Sequence, residues 1–148
     1  AGRVMVRLHP CPSSIRIYHP APYMNSPERI LLVDDDQHIR TTFAVSLRAK
    51  GFDVAECGDG LEALAWLKQN RAGYLITGIV MPNLGGFELI ERIKQDPQIQ
   101  QMPFFVFSHR GDESDRRRSQ ELGAADFFVY GFVSPNDVAA AIQKISGR

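Results

Sequence analysis

Three consecutive carboxylates, Asp34-Asp35-Asp36, close a short apolar run at residues 30–33. Adjacent carboxylates repel one another, so such a cluster persists where a cation or a basic side chain compensates it. Oxygen-only ligands at a strand end suit Mg²⁺, which makes Asp34 and Asp35 the candidate metal ligands. Asp36 is better placed as the cap of the following helix. The other residues that could do chemistry stand at the ends of later apolar runs: Thr77 and Gly78, Ser108 with His109 and Arg110, and Tyr130. A hydroxyl is a poor nucleophile without a base, and no motif positions one beside Thr77 or Ser108. Both are therefore expected to pack or hydrogen-bond at strand ends. Position 78 is the odd one. Open α/β sheets place their chemistry at the carboxyl ends of strands, and here that place carries no side chain.

These residues must be positioned by an alternation that runs through most of the chain. Apolar runs recur at residues 30–33, 52–55, 74–77, 104–107 and 127–129, each read as a strand. Between them lie helical stripes: Ile39, Phe43 and Leu47 before a stop at Gly51; Leu61, Leu64 and Leu67; and Phe87, Ile90 and Ile93 before Asp96-Pro97. A fourth helix is expected from near Asp112 to Gly123, its acidic start (Asp112, Glu113, Asp115) matching the positive end of the helix dipole. The last opens on Ser134-Pro135-Asn136-Asp137, with Val138, Ala141, Ile142 and Ile145 as its stripe. Strands alternating with helices predict an α/β fold, a doubly wound parallel sheet covered on both faces. Right-handed crossovers favour the flavodoxin-like (βα)5 arrangement with strand order 2-1-3-4-5. All strand carboxyl ends would then share one rim.

Composition narrows the setting. The chain has 148 residues with 17 basic and 17 acidic side chains, so no overall charge points to nucleic acid or an anionic membrane. No apolar run approaches the roughly 18 residues of a membrane span, and the N-terminus lacks a secretory h-region. Cys11 and Cys57 have no ligand or redox spacing, which predicts a reducing compartment without a disulfide framework; the cytoplasm is the expected location. Residues 1–27 stand apart, with three arginines (Arg3, Arg7, Arg16), no acid and five of the nine prolines. They read as a leader or arm, with short strands at 4–8 and 15–18 as the alternative and Met24 as a candidate start. The main domain spans 28–148.

The segments ILLVDDDQHIR (30–40), DGLEALAWL (59–67), MPNLGGFELIERIK (81–94), PFFVFSHR (103–110) and ELGAADFFVYGF (121–132) together resemble the receiver domain of two-component response regulators. The resemblance implies a domain that takes a phosphoryl group from a histidine kinase onto an aspartate at the end of the third strand. It implies Mg²⁺ at the acidic pair, matched by Asp34 and Asp35, a phosphoryl-bonding hydroxyl matched by Ser108, and a switch aromatic matched by Phe127. Two family positions fail. The acceptor position is Gly78, and the lysine-proline pair after the fifth strand is Tyr130-Gly131. Gly85 also stands where the family's loop usually carries an acid. A glycine has no carboxylate, so the usual aspartyl phosphate cannot form there. Losing an acid and a lysine together offsets in formal charge, as in a retired site.

The expectation is thus a pseudo-receiver, not an enzyme, that binds protein partners: a histidine kinase, a phosphotransfer protein or an effector. A receiver that still docks in a phosphorelay without being phosphorylated is the alternative. The spacing Asp34-x-Asp36 is also similar to the DxD of haloacid-dehalogenase-type phosphatases, but that family needs a late acidic pair that is missing here. No catalytic residue and no cofactor are expected, with Mg²⁺ weak at most. Tyr130 is expected to fill the space left beside Gly78, and Arg110 either to be solvated or to pair with Asp34 or Asp35. On the fourth helix, Asp112 to Arg116 and Glu113 to Arg117 have i,i+4 spacing. In the family, the fourth helix, fifth strand and fifth helix often make dimers or effector contacts. Arg116, Arg117, Arg118 and an exposed Phe127 are the expected homodimer or partner face. No output domain is expected after the fifth helix.

Overall fold

A computed structural model describes residues 29–146; the expectations for the arm at 1–27 lie outside the described residues. The chain alternates strictly: β1 (Arg29–Val33), α1 (Gln37–Ala49), β2 (Asp53–Cys57), α2 (Gly60–Leu67), β3 (Tyr74–Gly78), α3 (Gly86–Lys94), β4 (Phe104–Ser108), α4 (Glu113–Leu122), β5 (Asp126–Val129) and α5 (Pro135–Ser146). The sheet is parallel with order β2-β1-β3-β4-β5, the expected flavodoxin-like arrangement. Central strands β1, β3 and β4 are buried along their whole length, whereas edge strands β2 and β5 are not. Alternation divides the core. Ile30 and Leu32 face a layer with Phe43, Leu47 and Ile142, while Leu31 and Val33 face another with Trp66, Phe87 and Ile90.

Helix starts follow from their caps. The Asp36 carboxylate accepts from the Ile39 N–H at 3.1 Å, as expected, and Asp59 accepts from Glu62 N–H at 2.9 Å. Ser134 and Asp137 form a reciprocal capping box at α5. Two stripes differ from the sequence reading. On α2, Leu67 is buried and Leu64 partly so, as expected, but Leu61 is exposed, and Ala63 and Trp66 complete the buried face. The cause is Gly60, whose N–H donates to the Leu84 carbonyl and whose absent Cβ would stand 2.6 Å from that oxygen. That close approach turns the Gly60–Ala63 face inward. On α5, Ile145 is exposed beside an open groove with Phe105 and Asp126, at the side of the sheet edge β5. Cys57 is disulfide-bonded, contrary to the expectation of no disulfide. Among the described residues no helix is long and apolar enough to cross a membrane.

Candidate functional site

Parallel strands bring the ends of β1, β3 and β4 to one rim, where Asp34, Gly78 and Ser108 meet. Asp34 follows β1 directly and is held at both its backbone groups: its N–H donates to the Cys57 carbonyl at 3.1 Å, and its carbonyl accepts from Arg40 Nη1 at 2.7 Å. Arg40 is itself fixed by Glu56 at 3.1 Å. The Asp34 carboxylate is buried. Oδ1 accepts from the Asp36 N–H at 2.8 Å, while Oδ2 has no hydrogen-bond partner among the described residues. Burial pushes this carboxyl above its ordinary value and the Asp35 charge adds to that, against the Asp36 N–H and His109.

Gly78 faces that same carboxylate. A Cβ added to it would stand 3.3 Å from Asp34 Oδ2 and 3.7 Å from the Val33 carbonyl. Thr77 turns its hydroxyl to the Gly78 carbonyl at 2.9 Å, and a Cβ at Gly86 would collide with that carbonyl, so α3 starts hard against the end of β3. Ser108 is buried and faces its own loop: its Oγ accepts from the N–H groups of Gly111 at 2.8 Å and Arg110 at 3.2 Å. Both hydroxyls therefore serve strand ends, as expected. Beside them lies an open cleft of about 420 Å³, lined by Asp35, Asp36, Val80, Ser108, His109 and Asp115 among others.

Of the two readings for Arg110 the solvated one holds: it pairs with neither Asp34 nor Asp35 and reaches outward to Asp112 at 2.8 Å. One expectation for this rim does not hold: Tyr130 does not fill a space beside Gly78. It is 44% exposed, and its ring rests on Phe107 and His109 at centroid separations of 6.1 and 5.7 Å. The side chain that comes to Asp34 is His109, with Nε2 at 3.5 Å from Oδ2. Strand alternation carried the signal: residue 109 lies two beyond Phe107 and so leans to the same side of the sheet.

The partner face also differs. Phe127 is 8% exposed, not an exposed aromatic, because β5 directs it into the core and the Arg116 guanidinium lies over its ring at 4.6 Å. The arginines of α4 do not pair down their own helix. Arg118 bonds Glu91 of α3 at 3.0 Å and covers the Phe87 ring at 4.7 Å, and Asp112 is taken by Arg110. Arg117 points to solvent.

The residues present do not fit a hydrated Mg²⁺. Asp34 has one oxygen committed to a backbone N–H and the other buried 3.5 Å from His109 Nε2, Gly78 offers none, and of these positions Asp35 alone keeps an exposed carboxylate on the cleft. Among the described residues no three His, Cys, Asp or Glu side chains gather to hold a metal ion.

With this geometry in view, comparison with known proteins gives a consistent result. The response regulator receiver domain family matches residues 30–143. The gliding motility regulatory protein of Myxococcus xanthus is 31% identical over 98% of this chain and 19% of its own length. The phosphate regulon transcriptional regulatory protein PhoB of Rhizobium meliloti is 32% identical over 75% of this chain and 49% of its own. The chain thus spans half or less of these relatives. The solved signal receiver domain of a signal transduction histidine kinase from Syntrophus aciditrophicus is 26% identical, with a TM-score of 0.73 over 81% of this chain and 91% of that one.

Proposed function

Given that this chain belongs to the response regulator receiver domain family, we propose that it acts as a pseudo-receiver: a protein-binding module of two-component signalling that aspartyl phosphate does not switch. The observation that carries this reading is Gly78 at the end of β3, facing Asp34 with no carboxylate to accept a phosphoryl group. Tyr130 supports it, since an aromatic packed against His109 supplies no ammonium to a phosphoryl oxygen. A histidine kinase, a phosphotransfer protein or an effector is the expected partner, the cytoplasm the expected location, and divalent metal binding weak. Binding, not turnover, is the proposed activity. The partner surface is the face of α4, β5 and α5, where Arg117 and the end of Arg118 remain exposed. The test is incubation with acetyl phosphate and Mg²⁺ followed by intact mass measurement. No added phosphoryl mass is expected; one phosphoryl group on any rim residue would defeat the reading.

A further inference from the structure

We propose that His109 is a plug on the acidic pocket, so that restoring an acid at position 78 does not by itself restore a divalent-cation site. The proposal rests on the pseudo-receiver reading and explains how the pocket is kept closed. His109 lines the rim cleft and Asp34 does not. Between the cleft and the buried Asp34 Oδ2 stands the imidazole, its Nε2 3.5 Å from that oxygen. The ring packs against two aromatics that also touch each other, Phe107 and Tyr130 lying 6.1 Å apart. Phe107, fixed in the core, lies 6.2 Å away at an interplanar angle of 27°, and Tyr130 lies 5.7 Å away at 36°. Tyr130 is in turn pinned to β4, its N–H donating to the Ser108 carbonyl at 2.8 Å. The residue at the lost lysine position thus packs the histidine over the acid.

The consequence is chemical. A hard divalent cation needs several oxygens at open coordination positions. Asp34 Oδ1 already accepts the Asp36 N–H, and Oδ2 is covered. A new carboxylate at residue 78 would therefore meet a neighbour with no free oxygen to share a metal.

Mn²⁺ titration of the full chain, followed by electron paramagnetic resonance, tests this on three proteins: native, Gly78→Asp, and Gly78→Asp with His109→Ala. Gly78→Asp is expected to bind as weakly as the native chain, and the double variant about tenfold more tightly, the scale on which surrounding groups tune metal sites. Equal affinity of the single and double variants would overturn the plug, as would weaker binding without His109, which would make it a ligand instead. Should the His109→Ala protein fail to fold by circular dichroism, Gly78→Asp with Tyr130→Ala removes the tyrosine ring that packs against His109. A gain of about threefold supports the plug, and no gain overturns it. Phosphoryl labelling of the native chain would defeat the pseudo-receiver reading alone, so the two failures are distinguishable.

Discussion

The rim around Gly78 and the flank made by α3, α4 and β5 handle their charged groups in opposite ways. On the flank, Arg116 covers Phe127, Arg118 lies between Glu91 and Phe87, and Lys94 sits over Phe104 at 5.4 Å. At the rim, Asp34 buries an oxygen without a hydrogen bond among the described residues, Asp35 is exposed, and Arg110 turns away from both. The flank contacts support packing, which the fold requires whatever the domain does. The departures from the family's pattern, Gly78 and Tyr130, fall where phosphoryl chemistry would need an acid and a base. The scaffold is kept, and the proposal is that the chemistry is altered.

The comparison breaks first if the flank is not structural. Phe127→Ala should cost about 3 kcal/mol in denaturant unfolding, as expected for truncating a buried phenylalanine. Arg116→Ala should cost about 0.5–1 kcal/mol, the scale of a partly exposed cation–π contact. A Phe127→Ala protein as stable as the native chain would mean that the ring is not part of the core.

The rim should behave in the opposite sense, with loss of charge stabilising. Asp34→Asn keeps an oxygen for the Asp36 N–H and removes a buried, incompletely bonded charge. It should raise stability by about 1–2 kcal/mol at neutral pH. A carboxyl whose folded pKa lies above its unfolded value binds its proton more tightly in the folded state. Its contribution is therefore favourable below the unfolded value and is lost as pH rises through the folded one. The advantage of asparagine should shrink on acidification and be fullest at neutral pH. Urea titrations of both proteins across that range check the sign; an asparagine variant that is less stable at neutral pH would show that the charge is well compensated.

Gly78→Asp sharpens the same point with a smaller effect. The new Cβ meets Asp34 Oδ2 at 3.3 Å, and a second carboxylate adds like charge. Relief of unfolded-chain entropy offsets part of this, leaving a net loss of about 1 kcal/mol. Repeating the substitution in the Asp34→Asn background should recover most of it. An unchanged cost in both backgrounds would show that the loss is steric and not electrostatic.

Much of this architecture was legible in the sequence, because five apolar runs separated by helical stripes and caps leave few ways to bury both faces of a sheet. Asp36, Ser134 and Gly123 marked helix ends through local chemistry. Side-chain placement at the rim was less legible. Leu61 looked like a core residue by spacing, but the face of α2 was set by the Gly60–Leu84 approach, a contact between distant segments. His109 carried no motif, and its position follows from β4 ending on the same rim as β1, with only β3 between them. Phe127 was placed correctly in the chain and wrongly in space. Its neighbour across the sheet face, Arg116, covers it, and no local pattern encodes that.

The smallest expected change in stability separates the flank's packing role from its binding role. Arg117 is the one arginine of its triplet that points to solvent without a described partner, whereas Arg116 and Arg118 are engaged in cation–π or ion-pair contacts. Surface charge changes away from such contacts usually shift stability by less than about 0.5 kcal/mol. Arg117→Glu should therefore melt with the native chain while weakening self-association or partner binding through α4, β5 and α5. Reversing an exposed interface charge acts on encounter and register, so the loss should be largest at low ionic strength and fade as salt is added. Sedimentation at two salt concentrations reads this directly, with Arg118→Glu as the contrast. That second substitution also breaks the Glu91 pair and uncovers Phe87, so it should lower stability as well as association. Equal association of native and Arg117→Glu at low salt would leave the flank a purely structural surface and move the partner site to another face.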